Sequence, residues 1–284
     1  MKKPQWITIV IAIFLTGIIF VFARTTPKKK ISTAQNNNTA NTEVAIGLST
    51  DTILLMAKQE LPAAQAQRIT MLESSISRGD VKDQQLKIYH QLAHFWGDSV
   101  GFFHPYAWYE AEAARLENSE KTLTFAARLF LDYLQQEQSP ELRQWEALQA
   151  KDLFERSLKI NPDNDSSKVG LGACYLFGNI SAAPMEGIAK IREVVDKDST
   201  NVYAQMMLAK GSILSGQFDK AITRLNTVYK LQPDNAEAIW MLANTYEQSG
   251  DKKQAVEWYR KSLAYISRPD TKAEIEKKIA DLIK

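Results

Sequence analysis

Two histidines, His90 and His94, stand four residues apart in the segment HQLAHFWG, residues 90–97. In a helix this spacing places both imidazoles on one face, where they could ligate a single zinc ion. Gly97 also falls where one extended form of the zinc motif carries a glycine. The pattern therefore makes a metal-dependent hydrolase, centred on His90 and His94, one candidate function.

Two positions in the same segment argue against that chemistry. Gln91 stands where zinc hydrolases of this pattern carry a glutamate, and an amide cannot act as the general base. Val100 occupies the position of a third histidine ligand. The sequence also lacks a glycine-rich phosphate loop and a GxSxG segment. We therefore predict that the chain is not an enzyme and has no catalytic residues, no metal site and no cofactor.

The amino-acid composition and the charge distribution limit the classes of partner that the chain can bind. The chain of 284 residues is 45% hydrophobic and 24% charged, as in ordinary globular proteins. Its first 30 residues carry six lysines and arginines and no acid, so the formal net charge of +2 leaves −4 on the remainder. Such a body offers no broad basic face, and we expect no nucleic acid partner. Cys174, the only cysteine, excludes an intramolecular disulfide and is predicted to lie in the core.

Residues 6–23, WITIVIAIFLTGIIFVFA, form an uncharged apolar stretch of 18 residues between basic flanks. This length predicts an uncleaved amino-terminal membrane anchor within residues 1–24, in a membrane of the bacterial inner type. A signal peptide cleaved after Ala23 is the alternative, since small residues there fit a signal peptidase. Four basic residues follow the stretch and two precede it, which weakly favours a cytoplasmic position for the rest of the chain.

Residues 25–50 are rich in Asn, Thr, Ser and Lys and have no hydrophobic period, so we predict a flexible polar linker. From residue 51 onward, apolar residues recur at helical spacing in paired segments separated by Gly, Pro, Asn or Asp. The phrases NPDN, DSTN and QPDN recur between these pairs, with 37 residues from Asn164 to Asn201 and 34 from Asn201 to Asn235. Each phrase predicts the end of one helix and the capped start of another.

Shifting the sequence by 34 residues superposes the last two helix pairs, so that Leu208 aligns with Leu242, Ala209 with Ala243 and Gly216 with Gly250. This period, with small residues where helices cross and Pro after the second helix, resembles the tetratricopeptide repeat (TPR) family. The resemblance departs at position 4, usually Trp, where the chain has Gln205 and Ile239. The insertion ISAAP explains the one spacing of 37 residues.

The resemblance implies an all-α, right-handed superhelical solenoid of antiparallel helix pairs. We predict divergent TPR-like helices over residues 51–139, regular repeats over residues 140–267, and a carboxyl-terminal capping helix over residues 268–284. The cap is indicated by TKAEIEKKIADLIK, which places Ile275, Ile279, Leu282 and Ile283 on one face.

In this family, partner segments usually lie on the concave face. Transferred residue by residue, the stripe predicted to form that face holds Val169, Ala173, Leu176, Tyr203, Met206, Lys210, Ile213, Glu237, Trp240, Asn244 and Glu247. Of these, we predict protein contacts for Tyr203, Met206, Lys210, Trp240, Asn244 and Glu247. The family's Trp belongs one residue before Trp240, so this side chain faces either the groove or the core.

The sequence therefore favours a membrane-tethered adaptor or scaffold that binds a protein or peptide partner on the concave face of the solenoid. Two alternatives stay open at this stage. One is the metal-dependent hydrolase at His90 and His94, and the other is a homo-oligomeric structural scaffold whose apolar stripe is buried between copies.

Overall fold

The computed structural model describes residues 48–76, 81–180 and 184–284. Every regular element in these ranges is helical, and they contain no strand, so the predicted all-α class is confirmed. The predicted membrane segment, residues 6–23, and nearly all of the predicted linker lie outside them. Within the described ranges, no helix combines the length and the apolar composition needed to cross a membrane.

The described helices fall into an amino-terminal and a carboxyl-terminal group. The first group comprises α1 (Thr50–Gln59), α2 (Ala63–Ile76), α3 (Lys82–His94), a π-helix (Phe95–Val100), α4 (Phe103–Glu117), α5 (Glu120–Leu134) and α6 (Pro140–Ile160). The second comprises α7 (Asp165–Phe177), α8 (Pro184–Lys197), α9 (Val202–Leu214), α10 (Phe218–Leu231), α11 (Ala236–Ser249), α12 (Lys252–Ser262), a 3₁₀ turn (Leu263–Tyr265) and α13 (Pro269–Ile283).

Consecutive helices pack as pairs. The most extensive helix contacts join α3 to α4, α5 to α6, α7 to α8, α9 to α10, and α11 to α12. The loops within these pairs are short, which makes the two helices antiparallel neighbours. The first helices of successive pairs also touch, α5 against α7 and α7 against α9, so the pairs stack side by side. This is the arrangement of a helical solenoid.

Three asparagines set the starts of the first helices. The Asn164 side chain accepts a hydrogen bond from the backbone N–H of Ser167 at 2.8 Å. Asn201 and Asn235 accept the equivalent bonds from Ala204 at 3.0 Å and Ala238 at 2.9 Å. Each bond satisfies a backbone donor that the first helical turn leaves unpaired. The recurring phrases in the sequence are therefore helix boundaries, as predicted.

Glycine allows the closest approach of two helices. A Cβ atom added to Gly172 in α7 would lie only 2.6 Å from the backbone carbonyl oxygen of Gly187 in α8. Even the methyl group of alanine would therefore push this pair of helices apart. The contact explains why the sequence needs small residues at this crossing.

Two apolar clusters form the core. The larger cluster runs through the paired helices and includes the fully buried side chains of Phe130, Phe154, Leu225 and Tyr259. The smaller cluster lies among α1 to α4 and is centred on Ile69, Leu92 and Trp96. Residues 95–109, which follow α3, are rich in aromatic side chains, and three of these, Phe95, Trp96 and Tyr109, are buried. Aromatic packing thus fills the region before the regular repeats.

A ring of three hydroxyl groups joins three helices in the middle of the chain. The Thr124 hydroxyl of α5 lies 2.9 Å from that of Ser157 in α6 and 3.0 Å from that of Ser167 in α7. The two serine hydroxyls are 2.9 Å apart, and both serines are fully buried. Because a hydroxyl can donate one hydrogen bond and accept others, each member can serve the next around the ring.

The terminal helix covers the end of the core. Ile275 and Ile279 of α13 are buried, whereas Ile283, which the sequence placed on the same face, is exposed. Lys278 of α13 approaches Glu247 of α11, with Nζ 2.8 Å from Oε2. One apolar face therefore packs inward and an ion pair fixes it to the preceding first helix, as expected of a capping helix.

Candidate functional site

An open groove of about 340 Å³ runs along the ends of the first helices. Its walls come from the ends of α5, α7 and α9 together with one residue of α6 and one of α11. The lining residues, which define the groove from this point on, are Leu134, Gln135, Arg143, Phe177, Lys210, Ile213, Leu214 and Met241. Leu214 is the most exposed of the large apolar residues in this lining, at 69% of its surface. The groove combines apolar walls with two cationic side chains.

Lys210 is held at the edge of the groove by two oxygen atoms. Its Nζ lies 2.8 Å from Oε1 of Glu237 at the start of α11 and 2.6 Å from Oε1 of Gln135 after α5. These contacts join residues of three helix pairs, α5–α6, α9–α10 and α11–α12. Lys210 therefore has a fixed position where a ligand in the groove would meet it.

Trp240 is partly exposed, at 39%, and its indole packs edge-on against Tyr259 with ring centroids 5.4 Å apart. One turn later, Asn244 donates through Nδ2 to the backbone carbonyl oxygen of Trp240 and accepts through Oδ1 from the Tyr259 hydroxyl, both at 2.9 Å. Trp240 therefore faces partly the core and partly solvent. The ring leans on the core and presents one side to solvent.

Tyr203 and Met206 lie deeper than the sequence prediction required. Met206 is only 5% exposed and belongs to the core. The Tyr203 ring is covered by Arg128, whose Cζ lies 5.0 Å from the ring centroid. Burial raises the pKa of Tyr203, and its buried hydroxyl has no hydrogen-bond partner. Met206 is thus a core residue, and Tyr203 packs partly buried against the same core.

Glu247 faces the terminal helix. It accepts hydrogen bonds from Lys278 at 2.8 Å and from the Tyr259 hydroxyl at 2.5 Å. Burial acts to raise the pKa of Glu247, but the hydrogen bonds from Lys278 and Tyr259 outweigh it and lower the pKa. Burial and the bond to Glu247 raise the pKa of Tyr259 to about 12. These groups hold α11, α12 and α13 together.

The earlier part of the predicted stripe is covered. Val169 and Ala173 of α7 are fully buried, and Leu176 packs against Gly211 of α9. Phe177, Leu214 and Met241 line the groove instead, although the prediction did not include them. Their sequence signal is an apolar residue that directly follows a predicted stripe position, which a consensus register overlooks.

His90 and His94, the residues of the alternative hydrolase hypothesis, each contact a different carboxylate. His90 Nδ1 lies 3.9 Å from Glu110 Oε2, and His94 Nδ1 lies 2.8 Å from Asp98 Oδ2. Each imidazole thus has its own carboxylate neighbour, and the His94 side chain is 73% exposed. Cys174 is fully buried, and this burial raises the pKa of its thiol. Neither arrangement activates a nucleophile or a metal-bound water.

Comparison with known protein families gives a match in the last helix pairs. The family model described as tetratricopeptide repeat matches residues 212–266, which run from the end of α9 through the 3₁₀ turn after α12. The first residues of the matched range include Ile213 and Leu214, which line the groove. Comparison with the curated proteins gives no match.

Solved TPR structures have a similar fold. PilW, a widely conserved type IV pilus biogenesis factor, is 20% identical over 70% of this chain and 86% of its own, with a TM-score of 0.50. A thermophilic TPR protein of Thermus thermophilus is 15% identical over 72% of this chain and 99% of its own, also with a TM-score of 0.50. The likeness supports the TPR solenoid as the fold of the paired helices.

Proposed function

We propose that the chain is a membrane-tethered TPR adaptor that binds a protein or peptide partner in the groove. One observation carries this proposal: Leu214 exposes most of its apolar surface beside the fixed ammonium of Lys210. Binding hot spots combine an apolar anchor with polar groups in fixed positions. The lining of the groove comes from four helix pairs, and the groove therefore suits an extended segment of a partner.

Among the residues predicted from sequence, we retain Lys210, Trp240 and Asn244 as contact residues. Phe177, Leu214 and Met241 join them because they line the groove or its edge. Tyr203 and Met206 support the backbone under the groove, and Glu247 holds the terminal helix. In this proposal they act on binding through the positions of their neighbours.

Membrane tethering rests on the sequence of residues 6–23 and is part of the proposal. An anchor followed by a linker of about 26 residues would keep the solenoid close to the bilayer while allowing it to turn. Tethering raises the local concentration of the solenoid for partners in the same membrane. The basic flank after residue 23 favours the cytoplasmic side of an inner membrane.

Site-specific photocrosslinking in native membranes tests the binding site. A photoreactive residue replaces either Leu214 or Met185, which lies on the second helix α8 and is similarly exposed at 65%. We expect one defined protein to be crosslinked through position 214 and not through position 185. Lys210→Ala and Trp240→Ala should then lower the yield at position 214 while leaving helicity unchanged. Equal yields at both positions would place the binding surface elsewhere.

The same experiment addresses the homo-oligomeric scaffold. An adduct at position 214 with twice the mass of the chain would assign the groove to a second copy and would contradict the adaptor. Tethering has a separate test in which residues 1–24 are deleted and membranes are extracted with carbonate. We expect the intact chain to stay in the membrane fraction and the truncated chain to leave it. Protease accessibility in spheroplasts then shows on which side of the membrane the solenoid lies.

A further inference from the structure

His104, Glu137 and Glu146 converge where α4, the α5–α6 loop and α6 meet. His104 lies in the first turn of α4, Glu137 in the loop after α5, and Glu146 in α6. Nε2 of His104 lies 2.8 Å from Oε1 of Glu146 and 3.7 Å from Oε2 of Glu137. One ligand atom from each residue lies within 4.8 Å of the others, and the described part of the chain holds no second group of three residues like it.

Glu146 is the unusual member of this cluster. Its side chain is fully buried, and its Oε2 has no hydrogen-bond partner. A buried carboxylate oxygen without a partner is costly, because the oxygen has lost its water and gained nothing in return. The carboxylate is therefore only partly compensated by protein groups.

The surrounding donors leave the cluster open for a cation. Oε1 of Glu137 already accepts from the backbone N–H of Ser139 at 2.8 Å, which leaves Oε2 to face His104. Arg143 is nearby, but its Nη2 donates to the backbone carbonyl oxygen of Glu137 and not to either carboxylate. His104 also lines an open cavity of about 370 Å³, and we expect small ions and water to reach the cluster from this side.

We propose that His104, Glu137 and Glu146 bind one divalent first-row metal ion, with Zn²⁺ as the probe of choice. One imidazole nitrogen and two carboxylates are a donor set that such ions accept. Metal bonds of about 2.0 to 2.2 Å place neighbouring ligand atoms roughly 3 to 4 Å apart, close to the separations found here. A bound ion would also give Oε2 of Glu146 the partner that it lacks. Water from the cavity would complete the coordination.

The position of the site indicates a structural role. The three ligands belong to α4, the α5–α6 loop and α6, so an ion would connect α4 to the helix pair α5–α6. This site is distinct from His90 and His94, which belong to no group of three such ligands among the residues that the structure describes. The test of this site is also independent of the proposed partner groove, because the test needs no partner.

Metal binding to the purified full-length chain tests the proposal. The chain is stripped with chelator and titrated with Zn²⁺ in an isothermal calorimeter, and its thermal unfolding is followed with and without the ion. We expect one Zn²⁺ per chain and a rise in Tm of about 5 to 10 °C at a hundredfold excess of ion over Kd. Co²⁺ in place of Zn²⁺ should give a visible absorption band that reports ligation.

Three variants locate the ion. His104→Asn and Glu146→Gln should abolish the calorimetric signal, the Co²⁺ band and the rise in Tm. His94→Asn is the matched control, since His94 is also 2.8 Å from a carboxylate but is exposed. If Glu146→Gln does not fold, Glu137→Gln provides the same test with a less buried residue. An unchanged Tm of the wild-type chain with Zn²⁺, or binding that His94→Asn removes and His104→Asn keeps, would overturn the proposal.

Discussion

Lys210 Nζ lies 2.8 Å from Glu237 Oε1 and links the first helices of two successive repeats at the edge of the groove. Glu237 is mostly exposed, at 58%, so water screens this ion pair. An exposed pair of this kind contributes about 0.2 to 1 kcal/mol at most. The contact therefore fixes the position of the ammonium more than it stabilises the fold.

Glu237→Gln tests that distinction. We expect the free energy of unfolding in urea to change by less than about 0.5 kcal/mol, because an exposed ion pair is lost and no buried group is uncovered. The freed ammonium should react faster with an acetylating reagent, as measured by mass spectrometry of Lys210. Lys284, which pairs with Asp281, is the internal reference because that pair stays intact. A large loss of stability with no change in labelling would contradict this view of the pair.

Phe130 and Phe125 lie on opposite faces of α5 and form a matched pair. Phe130 is fully buried, whereas Phe125 is 56% exposed. Phe130→Ala should lower the free energy of unfolding by about 3 to 5 kcal/mol, since it leaves a cavity in the core. Phe125→Ala should change it by less than about 0.5 kcal/mol. Urea unfolding followed by circular dichroism measures both, and similar losses in the two variants would mean that α5 is oriented differently.

The cap at the start of α9 can be removed and restored. Asn201→Ala loses the hydrogen bond from the backbone N–H of Ala204, and we expect a loss of about 1 kcal/mol. Asn201→Asp keeps an oxygen acceptor at the same position and should retain most of the stability. Thermal unfolding of the three chains side by side would show this order. If both variants lose the same amount, the cap is not the source of the effect.

The contact between Glu247 and the terminal helix should depend on pH. The pKa of Glu247 is lower in the folded chain than its ordinary value of 4.5. Its contribution to stability is therefore present above pH 4.5 and is lost as the pH falls through the lowered pKa of the folded state. We expect Glu247→Gln to be less stable than the wild type at pH 7, by about 0.5 to 1 kcal/mol for a pair at the surface.

Below the folded-state pKa the two chains should be equally stable, because protonated Glu247 resembles Gln. Urea titrations at pH 7 and at about pH 3 measure the difference. Asp281→Asn removes an exposed ion pair at the end of α13 and should change the stability measurably at neither pH. A difference at pH 7 that persists at acidic pH would assign the loss to packing instead of charge.

The sequence predicted those parts of the fold that repeat. Asn201 and Asn235 define the helix starts because a capping side chain acts on its own helix and needs no distant partner. The exposure of individual side chains was harder to predict. Met206 and Leu214 show this, because α9 carries apolar residues on every face. Their burial depends on how neighbouring pairs stack, and a single repeat does not determine that.

The cluster of His104, Glu137 and Glu146 was not predicted, since 42 residues separate His104 from Glu146. A weak signal did exist in α6. Glu146 precedes Ala150 by one helical turn and lies on the same buried face, where a charged residue is unexpected without a partner. An acid on an apolar helical stripe identifies one member of such a cluster, but the others come only from the tertiary structure.

The hydroxyl ring of Thr124, Ser157 and Ser167 has a consequence for how the chain comes apart. A stacked array of helix pairs can unravel from its ends, one pair at a time. The ring ties α5, α6 and α7 to one another by buried bonds, so none of the three can leave without breaking two of them. Fraying that starts at α13 should therefore halt before α7, and native-state hydrogen exchange should find the slowest amides in α5 to α7.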